Sequence, residues 1–220
     1  MTYVSLEPLS TEAQLALAHT KGETRSALTI LFELDSRLAR IVAATTEPML
    51  GQMRLAWWRE MLGKPVSDRP AGDQVLDAIG SVWQGREGFL VSVVDGWEHM
   101  LSDPPLTREA AIAFAEGRGA AFGGLASFSR RANAFRPQLE AAGRIWAIAD
   151  AACHIGTEAE RETLVALGRE LPLPDALPAP FRGIAILAAL GARALKAGGA
   201  PLMEGRGAGW TAFRAGLLGR

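Results

Sequence analysis

Residues 27–62 read ALTILFELDSRLARIVAATTEPMLGQMRLAWWREML, and their periodicity predicts two apolar helices joined at a Thr-Glu-Pro step. In the first, Leu28, Leu31, Phe32, Leu38, Ala39 and Val42 recur at the i, i+3, i+4, i+7 spacing of one helix face. Asp35 falls on that face, between Phe32 and Leu38. Glu33, Arg37 and Arg40 lie on the other side, where Glu33 and Arg37 can pair at i, i+4. In the second, Leu50, Met53, Trp57 and Met61 line one face, and Leu55, Trp58 and Leu62 line another. A helix that is apolar nearly all round is expected to be buried. Arg54 lies among its apolar residues as Asp35 does among those of the first helix. A buried charge is costly unless paired. Asp35 and Arg54 therefore either neutralise each other, reach water at a helix end, or line a cavity that holds polar ligand groups.

The run EPMLGQMRLAWWREML resembles the EP-x-lGe-x-RL-x-WWR-x-x-l signature of the squalene/phytoene synthase family, and ALTILFELDSRLARI resembles that family's first aspartate-bearing helix. The likeness is greatest to the bacterial branch related to the mitochondrial complex I assembly factor. It rests most specifically on Arg54 to Arg59. It implies an all-α, single-domain helical bundle of the isoprenoid-synthase type spanning residues 1–220. It also implies a ligand that is an isoprenoid diphosphate or another lipid, held near Asp35, Arg54, Trp57, Trp58, Asp150 and His154.

Active members of that family join two prenyl diphosphates head to head. Two facing aspartate motifs hold magnesium, which binds and ionises the diphosphates. The ion prefers hard oxygen ligands and commonly bridges carboxylates to phosphate, and the departing charge needs neutralising. The chain departs from this pattern. A D-x-x-x-D from Asp35 would put a carboxylate where Ala39 stands, and one from Asp150 would put it where His154 stands. Single carboxylates on the two helices are a poor cage for magnesium, and histidine is an inferior ligand for it. The resemblance thus leaves three functions open: a non-catalytic binding or assembly protein with no metal or cofactor, a magnesium-dependent transferase with a reduced site, or a carrier of an apolar ligand.

Composition agrees with a helical domain. The chain is rich in Ala, Leu and Gly, and its 220 residues suffice for a sizeable core. A net charge of −1 with no basic arm argues against nucleic acid as a partner. A single cysteine, Cys153, precludes an internal disulfide and reads as a small core residue. The start MTYVSLEPLSTEAQ lacks the pattern of a signal peptide, and the longest apolar run, 184–190, is far short of the roughly 20 residues that span a bilayer. These features predict a soluble cytoplasmic protein, with peripheral membrane contact left open.

The remaining pattern predicts a helix from Thr11, through a Thr11–Gln14 capping box, to about Thr20, ended by Lys21-Gly22. Gly63–Gly72 reads as a loop, followed by helices over 73–83 and 89–101. The latter turns Leu90, Val93, Val94, Trp97 and Leu101 inward, and 102–105 breaks the chain. A long helix capped by Thr107 runs towards Arg131. Its Gly117, Gly119, Gly123 and Gly124 serve either close helix packing or a substrate cavity. Residues 138–155 form the next helix, in which Asp150 and His154 meet at i, i+4. This spacing satisfies two buried groups through one hydrogen bond, or marks the position of the family's second aspartate motif. Helices over 158–169, 181–196 and 206–220 complete the chain, with Trp210 and Phe213 of the last packing inward.

Overall fold

The computed structural model describes residues 9–102, 104–129 and 132–220. Among them the fold is all-helical: α1 (Thr11–Ala18), α2 (Gly22–Ala43), α3 (Pro48–Gly63), α4 (Gln74–Val82), α5 (Gly88–Glu98), α6 (Arg108–Gly124), α7 (Arg136–His154), α8 (Glu158–Glu170), α9 (Arg182–Lys196) and α10 (Arg206–Leu218). The expectations for residues 1–8, Asp103 and Arg131 lie outside the described residues.

Local chemistry sets most of the helix starts. Asp73 accepts hydrogen bonds from the Val75 and Leu76 amides at 3.0 Å, and Thr107 accepts one from Ala110 at 3.1 Å. Such N-caps satisfy amides that have no partner within the helix. Pro48 occupies the first turn of α3, where its missing N–H costs nothing. The first helix differs from expectation. Its cap is Ser10, and Gln14 reaches back to the Leu9 carbonyl at 2.6 Å. Gly22 opens α2 rather than closing α1.

The bundle is layered around α6, which packs against α5 on one side and α7 on the other. Helix α7 in turn meets α8 and α9, and α9 carries α10 and α1. Glycines make the central contacts close. A Cβ at Gly143 would lie 3.0 Å from the Gly119 Cα, and one at Gly119 would lie 3.0 Å from the Glu140 carbonyl. A Cβ at Gly117 would collide with the Ser92 carbonyl oxygen on α5. Of the two roles open for this glycine run, close packing is therefore filled. The buried side chains form one cluster in which Phe32, Phe122 and Trp146 stack edge to face and tilted, at 5.3–6.4 Å between ring centres.

Two expected burials are not found. Helix α3 buries Gly51, Leu55, Trp58, Met61 and Leu62, while Met49, Leu50, Met53 and Trp57 are exposed. The Leu50–Trp57 face is thus the outer one, and only Met61 of that row turns inward. On α10 the core contacts are Ala208, Ala212 and Ala215, while Trp210 and Phe213 point to the surface. No helix among the described residues is long and apolar enough to cross a membrane.

Candidate functional site

Asp35 does sit on the inner face of α2, but its partner is not Arg54. The guanidinium of Arg118 on α6 meets it side-on: Nε donates to Oδ1 at 2.7 Å, and Nη2 donates to Oδ2. Nη1 of the same side chain donates to Oδ2 of Asp150 on α7 at 2.8 Å. Trp97 of α5 donates its indole N–H to Asp35 Oδ1 at 2.8 Å. One cation therefore ties together the two acids that the sequence places on separate helices. Arg118 is only 3% exposed and Asp35 5%.

The walls around the cation are aromatic. The guanidinium carbon lies 4.3 Å from the Trp146 ring centre, 4.8 Å from Phe114 and 4.9 Å from Trp97. Such cation–π contacts contribute about 0.5–1 kcal/mol at exposed sites and roughly 2 kcal/mol where water is excluded. Burial by itself would pull the Arg118 pKa down. The charges of Asp35 and Asp150, with the hydrogen bonds to both, outweigh burial, and the net displacement is upward. The group is a permanent cation.

This network forms the polar floor of a cavity of about 490 Å³ whose lining is otherwise mostly apolar, including Leu9, Phe32, Val42, Met100 and Ile155. Asp35, Trp97, Arg118, Asp150 and His154 all line it. Trp57 and Trp58, whose rings meet edge to face at 5.2 Å, do not, and neither does Arg54. Trp58 is core, Trp57 is half turned to solvent, and Arg54 is exposed. Arg59 instead fastens α3 to α5 through Asp95 at 2.6 Å and through Glu98.

His154 departs from the expected buried pair. Its side chain is 73% exposed, and Nδ1 lies 3.5 Å from Asp150 Oδ1. The shorter contact, 2.8 Å, runs to the Asp150 backbone carbonyl. A carbonyl can only accept, so this contact puts the proton on Nδ1. The i, i+4 geometry holds, but it caps a helix end rather than satisfying two buried side chains. Glu33 likewise turns inward, and Arg37 pairs with Asp73 at 3.2 Å instead of with Glu33.

Magnesium does not fit the donors present. Both Asp35 oxygens and one Asp150 oxygen already accept hydrogen bonds from Arg118. Among the described lining residues these are the two acids. Asp150, Cys153 and His154 bring a carboxylate, a sulfur and an imidazole within 4.8 Å of one another, a mixed set that suits softer metals than magnesium. The Cys153 thiol is held protonated. Burial, then the negative charges of Asp150 and Glu12, push its pKa up to about 12. What the arrangement can do is hold a ligand. It offers an apolar wall for a chain or ring and a fixed, hydrogen-bonded charge cluster for a polar end.

Arg118 is the central residue that sequence reasoning missed. Its signal was present. Phe114, Arg118 and Phe122 recur at i, i+4, i+8, placing a charge on the apolar face of α6.

Comparison of the chain with protein-family models, with curated proteins and with solved structures gave no match.

Proposed function

We propose that this protein is a non-catalytic relative of the squalene/phytoene synthases, an isoprenoid-synthase-type bundle that acts by binding rather than by prenyl transfer. One observation carries this reading: the buried guanidinium of Arg118 joins Asp35 and Asp150. A diphosphate-ionising site needs carboxylates that are open to a divalent ion. In this chain the cation between the two helices is a side chain, fixed by covalent attachment and enclosed by aromatic rings. The departures at Ala39 and His154 agree with the same conclusion, since each removes a carboxylate that an ion cluster would use.

The cavity favours a second, compatible reading, in which the protein carries an apolar ligand with a polar head. Its volume, about 490 Å³, lies within the roughly 300–1,000 Å³ typical of small-molecule sites. An assembly role finds support elsewhere, in the exposed row Met49, Leu50, Met53 and Trp57 along α3. Contiguous apolar surface of this kind commonly marks a protein contact.

The deciding assay offers the purified protein farnesyl or geranylgeranyl diphosphate with magnesium and follows diphosphate release. No release above the uncatalysed background is expected. Magnesium-dependent release that disappears in Asp35→Ala would overturn the proposal. Solvent extraction followed by mass spectrometry tests the carrier reading, which expects a co-purified lipid.

A further inference from the structure

Helix α10 presents two opposed faces. Ala208, Ala212 and Ala215 are buried against α9. Directly opposite, at i, i+3, i+7, stand Trp210, Phe213 and Leu217, exposed to 67%, 61% and 65%. The Trp210 and Phe213 rings stack on each other, 5.7 Å between centres and 27° between planes. They form a flat apolar ridge along a helix about 20 Å long. Small residues toward the core and large ones toward solvent reverse the usual order for a helix that covers a core.

The charges beside this ridge are predominantly basic, although Asp175 shares a cleft with Arg214. The ionisable side chains from Gly205 onward are Arg206, Arg214 and Arg220, all exposed. Arg193 of α9 lies against Gly207, with its Nε 3.3 Å from where a Cβ would stand, and Lys196 follows one turn later. From residue 193 to 220 there are five basic side chains and one acid, Glu204, although the whole chain has a net charge of −1. Basic charge is thus concentrated around one exposed aromatic ridge.

We infer that the outer face of α10 is a docking surface for an anionic lipid bilayer, with Trp210, Phe213 and Leu217 entering the headgroup–acyl boundary and Arg206 and Arg214 contacting lipid phosphates. The charge decides between occupants. A second copy of this chain would set like-charged arginine clusters against each other, which is unfavourable. A neutral apolar partner would give the arginines nothing to meet. An interfacial helix joins a Trp/Phe/Leu face to flanking Arg and Lys, and tryptophan favours the membrane–water interface. This surface lies apart from the cavity lining, and the inference does not depend on what the cavity binds.

The test is co-sedimentation of the full chain with vesicles of phosphatidylcholine alone and of equal parts phosphatidylcholine and phosphatidylglycerol, at low and high salt. Binding is expected to the anionic vesicles and to weaken with salt. Trp210→Ser/Phe213→Ser should lower affinity roughly tenfold or more. Arg206→Gln/Arg214→Gln should lower it roughly fivefold per arginine and remove most of the salt dependence. Both pairs are surface residues, so unchanged circular dichroism and melting temperature keep the comparison clean. Four outcomes would overturn the inference. They are equal binding to both vesicle types, no binding to either, and binding that survives both α10 variants but is lost in Met53→Ser/Trp57→Ser. The fourth is concentration-dependent self-association of the wild type, by sedimentation velocity, that Trp210→Ser abolishes.

Discussion

Arg118 shows how much a single buried charge can determine. Removing it leaves Asp35 and Asp150 facing each other without their cation, and breaking a buried pair in this way costs about 3–5 kcal/mol. Arg118→Met should therefore lower unfolding free energy by about that amount in urea titrations. Asp35→Asn/Arg118→Met should lose less than the sum of the two single changes, because the members of one network are not additive. A sum that is fully additive would mean the pair contributes nothing as a pair. Cys153 gives a second prediction at this scale. A thiol with a pKa near 12 in place of the ordinary 9.0 is almost wholly protonated in mild alkali. The thiolate is the nucleophile. Iodoacetamide should thus modify Cys153 roughly tenfold to a hundredfold more slowly than the unfolded chain, because the scarcer thiolate is also the more nucleophilic one. Glu87 titrates in the opposite direction. Burial would raise its pKa, but backbone hydrogen bonds and the Arg69 guanidinium at 2.9 Å outweigh burial, and the carboxyl lies below its ordinary 4.5. A depressed carboxyl stabilises the fold above its unfolded pKa, and that contribution is lost as pH falls through the folded value. Glu87→Gln should flatten the acid limb of the stability profile below about pH 4.5 and leave the rest of its shape unchanged.

At the scale of elements, the glycines of α6 separate packing from flexibility. Gly117 faces the α5 backbone with no room for a methyl group, so Gly117→Ala should cost about 1–3 kcal/mol through overpacking. It should also loosen the placement of Arg118, its neighbour. Gly63, with nothing within 4 Å of a built Cβ, is the control. Gly63→Ala should be neutral or stabilising by up to about 1 kcal/mol. Chemical denaturation of the two variants checks both. Much of this level was legible in the sequence. Thr107 and Pro48 mark helix starts through backbone chemistry that acts locally, so the sequence alone locates them. Asp35 was legible as an inward charge for the same reason. What was not legible is the choice of partner. Periodicity says which face a residue lies on, but not which face the rest of the molecule covers. Leu50, Met53, Trp57, Trp210 and Phe213 are periodic and apolar, yet their helices turn alanine, glycine or a neighbouring row inward. Arg54 is one partner the sequence offers Asp35, because it too lies among apolar residues. The actual cation lies 83 positions away and reaches Asp35 only through tertiary packing of α6 against α5 and α7.

The whole molecule joins a buried charge network to an apolar cavity and two exposed apolar rows on different helices. The network lines the cavity, so a ligand entering it meets acids already engaged by Arg118 rather than a site primed for metal. The α3 and α10 rows give the molecule outward contacts of different character, since basic charge gathers around α10. The central claim is that Arg118 engages the carboxylates of Asp35 and Asp150, so that they are not open to a divalent ion. Its most direct test is the melting temperature of the purified chain with a non-reactive prenyl thiodiphosphate, titrated with magnesium. The account predicts that magnesium adds no stabilisation beyond that of the analogue alone. A saturable, magnesium-dependent rise that Asp35→Ala or Asp150→Ala abolishes would contradict it.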